Sequence, residues 1–171
     1  IFALACKGGA MCIQAFFIRG GQNWGHRAFF PAHTNDVPEA EVLSSFLVQF
    51  YEDMPPPRRI LLDRDLEDRE LLEEALGERA ERKVLIEQPK RGARVRLIDQ
   101  ARRNAEEALD RRMAETATQT KVLRELTETV RPAQPMLVET IDALIERMIA
   151  TGNPMGTVVT PFAEGRDVRD P

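Results

Sequence analysis

Six side chains crowd one glycine-rich turn: Arg19, Gln22, Asn23, Trp24, His26 and Arg27, spaced around Gly20, Gly21 and Gly25. Apolar runs flank the turn on both sides, as in a β-hairpin. Such a turn needs only Gly, Asn or Asp to reach positive φ. It has no use for two arginines, an imidazole and the only tryptophan of the chain. Those groups suit a polyanion that carries rings, with arginine meeting phosphate and indole stacking on a base. The competing reading is that Trp24 packs over a sheet edge while the polar groups satisfy the turn. His26 alone is no metal site or catalytic pair, because His33 is the only other histidine.

A second basic group, Lys90, Arg91, Arg94 and Arg96, falls where a short strand should hand over to a helix. The N–H groups and dipole of a helix N-terminus favour anions, so phosphate contact is expected there as well. A solvated basic turn is the alternative. Arg102, Arg103, Arg111 and Arg112 alternate with Glu106, Glu107 and Asp110 and suit i,i+4 pairing on a wet helix face. Gly20-Gly21 is no phosphate-cradling loop, since it lacks the lysine and hydroxyl of that motif. Cys6 and Cys12 lie in apolar runs and are expected to be buried thiols rather than metal ligands.

The elements that must position these residues follow from periodicity. Ile1 to Lys7, Met11 to Arg19 and Trp24 to Pro31 are expected to form a three-stranded antiparallel meander. Asp36, with Glu39 three residues on, suggests a capped helix start, and Val42, Leu43, Phe46, Leu47 and Phe50 make its inner stripe. Pro55-Pro56-Pro57 stops that helix. Ile60 to Leu62 is a short strand, Leu71 to Leu76 a helix, Val84 to Ile86 a strand, and Val95 onward a long helix. Its inner face would be Ile98, Ala101, Ala105, Ala108, Leu109 and Met113. The order β-β-β-α-β-α-β-α is an α/β, ribonuclease-H-like order, with parallel pairing of the later strands. Residues 131–171 form a divergent helical and loop-rich appendage. There Val138, Ile141, Leu144, Ile145, Met148 and Ile149 make a stripe expected to dock on the domain or on a partner.

Nucleases of this fold hold two divalent ions on several carboxylates, from the middle of the first strand and the end of the fourth. Ile1 to Lys7 contains no acid. Asp63, with Asp65 beside it, follows the fourth strand and is expected to cap or solvate the next helix. No catalytic residue, metal ligand or cofactor is therefore expected in this chain.

The net charge of −4 conceals an asymmetry. Residues 36–82 carry 14 acids and 6 bases, a balance of −8, whereas residues 89–112 carry 8 bases and 4 acids, a balance of +4. Nucleic acid is thus restricted to particular faces rather than excluded. No apolar run is long enough to span a bilayer. An initial Ile that opens directly into a strand suggests a fragment of a larger protein.

Several landmarks also occur in order. They are Phe16-Phe-Ile-Arg-Gly-Gly-Gln-Asn-Trp-Gly-His-Arg-Ala-Phe-Phe-Pro31, Glu39 to Pro57, Arg59-Ile-Leu-Leu62, Pro89-Lys-Arg-Gly92 and Asn104-Ala-Glu-Glu-Ala-Leu109. Over roughly residues 1–130 this pattern resembles the UvrC subunit of bacterial excision nucleases. The resemblance implies a parent that works with UvrA and UvrB in the bacterial cytoplasm. That parent would incise damaged DNA on both sides of a lesion, with Mg or Mn serving its nuclease centres. Neither centre falls within these residues. This segment would be a non-catalytic domain that positions DNA. The alternative is an interaction or scaffold domain without nucleic-acid contact.

Overall fold

The computed structural model describes residues 1–32, 34, 36–130 and 135–151. Strands β1 (Phe2–Lys7), β2 (Ala10–Arg19) and β3 (Gln22–Phe29) form the antiparallel meander. Helix α1 (Glu39–Phe50), strand β4 (Arg59–Leu61), helix α2 (Arg69–Ala80), strand β5 (Leu85–Glu87) and helix α3 (Ala93–Val130) follow in the expected alternation. Helix α4 (Pro135–Thr151) comes last among the described residues.

β4 and β5 pair in parallel, Ile60 opposite Ile86. A parallel bridge between Phe2 and Leu62 joins this pair to β1, and the Asp63 N–H donates to the Phe2 carbonyl at 3.2 Å. The lateral order is therefore β3-β2-β1-β4-β5. Successive side chains of a strand face opposite ways, so β1 and β2 serve two cores. Phe2, Leu4, Met11, Ile13 and Ala15 pack with the apolar stripes of α1 and α2. The rings of Phe2 and Phe50 meet edge-on at 5.1 Å. On the other face, Ala3, Ala5, Cys12 and Phe16 meet Ala101, Ala105, Ala108 and Leu109 of α3. Small residues on both sides let the helix lie close to the sheet.

α3 has 38 residues, about 57 Å at 1.5 Å per residue. Ala101 sits by Ala3, Leu109 by Ala5, and the Met113 Cε by Gly8, so α3 runs in the direction of β1. Beyond Met113 it outruns the sheet and is met by α4, whose Ile145 and Met148 are buried. Ile149 of the expected stripe is instead exposed. Val138 lies outside the residues whose side chains are described, as does the tail of residues 152–171.

Three local expectations need correction. Asp36 does not cap α1. The helix begins after Pro38, with no side-chain cap, while Asp36 sits at φ 63°. A proline disfavours the helical region for the residue before it, so Val37 cannot open the helix. The meander's last strand starts at Gln22 rather than Trp24, because Gly20 and Gly21, at φ 58° and 78°, close a two-residue turn. Cys6 is exposed, since it lies near the end of β1 on the face away from α3, beside Glu39 where α1 only begins, whereas Cys12 is buried against α3.

Candidate nucleic-acid interface

β2 and β3 are in register from Ile13–Phe29 to Phe17–Gly25, then shift, so that Ile18 faces Asn23 and Arg19 faces Gln22. Trp24 is the extra residue of this bulge, without a partner across the ladder. Asn23 Oδ1 accepts the Gly25 N–H at 2.9 Å and pins the bulge. The Arg19 guanidinium lies over the Trp24 ring, 5.4 Å from its centroid. Trp24 is 68 % exposed, and Phe17 and Ile18 beside it are also exposed.

Strand alternation divides the other expected residues. Arg27 lies on the α1 side, its guanidinium 5.0 Å from the Phe29 ring. His26 lies on the α3 side, its ring 5.6 Å from that of Phe16. The tip thus groups Arg19, Gln22 and Trp24, spends the Asn23 oxygen on the turn, and splits His26 from Arg27.

Lys90, Arg91, Arg94 and Arg96 are all exposed around the start of α3. Arg94 is held by Glu87 at 3.1 Å, and the other oxygen of Glu87 binds Arg59 at 3.1 Å. In the lateral order the Gly20-Gly21 turn joins β2 to β3 at one edge, whereas the Lys90–Arg96 turn follows β5 at the other edge, about seventy residues on. There Gln88 Nε2 donates to the Asp63 carbonyl at 3.0 Å. Arg102 pairs with Glu106 at 3.9 Å, as the helical spacing predicts. Arg112 instead stacks over Phe30 at 4.3 Å.

A constellation missed from the sequence lies at β1 and β4. Asp63 does not cap a helix: the residue before α2 is Asp68. The Asp63 side chain is 4 % exposed and accepts the Leu4 N–H at 3.2 Å through Oδ2. Arg64 donates to both Asp63 oxygens, to the Leu4 carbonyl at 2.7 Å and to Glu39. Burial alone would pull the Arg64 guanidinium down; hydrogen bonds and charge from Asp63 and Glu39 outweigh it and hold it above its ordinary value. A metal-dependent ribonuclease-H-like centre would need carboxylates converging here. Leu4 stands in the middle of β1, and a guanidinium already sits between the two acids. This donor set does not fit a divalent ion, and no group of three or more potential ligands forms among the described residues. The adjacent Asp63-Arg64 pair was the only signal in the sequence.

Residues 1–112 match the family model of the UvrC ribonuclease H-like domain. The chain is similar to the UvrABC system protein C of Novosphingobium aromaticivorans, 55 % identical over 166 residues, which are 96 % of this chain and 25 % of that protein. The protein of the same name from Sphingopyxis alaskensis is 63 % identical over 128 residues, 75 % of this chain and 20 % of that one. That from Mesorhizobium japonicum is 49 % identical over 165 residues, 96 % and 24 % respectively. The chain thus spans about a quarter of the length of these relatives. No solved structure matches.

Proposed function

This chain belongs to the family of UvrC ribonuclease H-like domains, and from that premise we propose that it is a DNA-positioning domain of an excision-repair nuclease. In this reading the parent acts with UvrA and UvrB to incise damaged DNA on both sides of a lesion, in the bacterial cytoplasm. Divalent-metal hydrolysis belongs to the parent's nuclease centres. Residues 1–130 do the positioning, and residues 131–171 are an appendage to them.

One observation carries the proposal. The Trp24 ring stands 68 % exposed at the hairpin tip with the Arg19 guanidinium over it, on a chain that is acidic overall. A backbone contact that follows phosphate and an aromatic that follows bases are the two components of nucleic-acid grooves. Labelled DNA should bind the 171-residue chain at low salt, and affinity should fall steeply as salt is added. Replacing Arg19 and Arg27 by Ala should weaken it. Unchanged affinity in that double variant would remove the hairpin from the interface.

A second reading, a protein-contact domain, is favoured by the far end. There an open, largely apolar cleft of about 810 Å³ lies between the Gly8-Gly9 turn and α3, lined by Met11, Phe30, Leu109 and Met113. Val122 and Leu126 of α3 are exposed in the same half of the helix. Association there would respond little to salt.

A further inference from the structure

Trp24 is an expensive residue to leave in water. A structural tryptophan earns its place by burying a large apolar surface, yet this one is 68 % exposed and belongs to none of the buried clusters. Nor is it on a loose loop. The turn before it is two glycines, the bulge holds it out of register, and the Asn23 oxygen locks the following residue. Gly25 sits at φ 147°, a conformation that side chains rarely adopt, and open space surrounds its Cβ position. The ring is presented by a hydrogen-bonded bulge of the hairpin, and the Arg19 guanidinium lies over it.

We propose that this tip takes unpaired bases, one base stacking on Trp24 while Arg19 meets the adjoining phosphate, so that the domain prefers opened or single-stranded DNA to intact duplex. The inference rests on the nucleic-acid reading above and specifies its substrate. In a duplex the base faces are already stacked on one another, and only their edges are open in the grooves. Edge reading needs free amide or guanidinium forks. At this tip the Asn23 oxygen is committed to the Gly25 N–H and the Arg19 guanidinium lies over one face of the indole, so Gln22 is left as the amide fork for edge contact. The other face of the exposed ring accepts any base whose own face is free. Recognition should therefore tolerate sequence and depend on strandedness.

Trp24 is the only tryptophan, so intrinsic fluorescence reports this one ring. The chain is titrated with short oligo(dT) and, separately, with a blunt mixed-sequence duplex of equal length at the same low salt. Labelled-DNA anisotropy gives the affinities. Oligo(dT) should quench the indole and bind several-fold tighter than the duplex. Trp24→Ala should weaken oligo(dT) roughly 5- to 100-fold, leave duplex affinity within about twofold, and keep the far-UV spectrum. Trp24→Phe should retain part of the preference. Equal affinities without quenching, or an unchanged oligo(dT) affinity in Trp24→Ala, would overturn the stacking inference and leave the DNA-positioning reading standing. If neither DNA bound at low salt, both would fall.

Discussion

Asp63 and Leu4, 59 residues apart, are joined by a hydrogen bond of 3.2 Å from the Leu4 N–H to Asp63 Oδ2. The bond lies where β4 meets β1, the backbone seam between the antiparallel and parallel halves of the molecule. Arg64 closes the same seam, through the Leu4 carbonyl and the Asp63 carboxylate. An internal cation and two acids thus fasten the halves together.

Removing that carboxylate should be costly. Asp63→Ala leaves the Leu4 N–H and the inner side of Arg64 without their acceptor, and a lost partner in a buried charged pair costs about 2–4 kcal/mol. Asp63→Asn keeps an acceptor and should lose about half as much. Glu39→Ala should cost under about 1 kcal/mol, because Glu39 is 45 % exposed. Urea denaturation followed by circular dichroism would rank the three. Equal, small losses for both Asp63 variants would show that the seam is held by packing alone.

This seam also marks what the sequence makes legible and what it hides. The element order was readable because aromatic and apolar runs, paired glycines and the helical stripe of Val42, Leu43 and Leu47 are local signals. Parallel pairing of Ile60 with Ile86 followed from the crossover helix between them. Asp63 was misread because Leu4, which bonds it, and Glu39, which shares Arg64 with it, are distant in sequence and come near where the Phe2–Leu62 bridge joins the strands. Asp36 was misread for a local reason, the proline at 38 outweighing a good capping pattern. The binding residues were recognisable by type. The bulge that leaves Trp24 without a partner across the ladder was not, because a register shift has no local signal in the residue types.

The two thiols should differ. Cys6 is exposed and Cys12 fully buried, so a thiol reagent should modify Cys6 in the native protein and Cys12 only on unfolding. Burial pushes the Cys12 thiol up from its ordinary 9.0 to about 12. Its folded value is the higher one, so the stability it lends is complete below about pH 9 and drains away as pH rises toward 12. Burial raises Tyr51 above its ordinary 10.0 in the same sense. The urea midpoint should therefore fall from pH 8 to pH 11, and fall less steeply in Cys12→Ala. Parallel slopes in the two proteins would remove Cys12 from the alkaline response.

The close seat of α3 on the sheet depends on alanine. Ala105 has no exposed surface and packs with Ala5 and Cys12. Ala105→Leu has no room there and should destabilise by about 1–3 kcal/mol. Ala114→Leu, exposed on the same helix, should change stability by less than about 0.5 kcal/mol. Equal effects would mean that the helix can move off the sheet without cost.

The basic turn allows a prediction that separates its members. Each cation that displaces a counterion from duplex DNA adds about 0.9 to the slope of log affinity against log salt, and about 0.7 for a single strand. Lys90 and Arg91 are exposed, and among the described residues no acid is placed against them as Glu87 is against Arg94. A phosphate would have to compete with Glu87 for Arg94, and Glu87 is already oriented by Arg59. In anisotropy titrations between about 50 and 200 mM salt, Lys90→Ala and Arg91→Ala should each lower the slope by nearly one contact. Arg94→Ala should lower it by clearly less. Glu87→Gln should then strengthen binding, since it frees the Arg94 guanidinium and removes a negative charge beside it. If Arg94→Ala proved the most damaging of the three and Glu87→Gln had no effect, the Arg94–Glu87 pair would be a support that aims Arg94 at phosphate rather than a competitor for it.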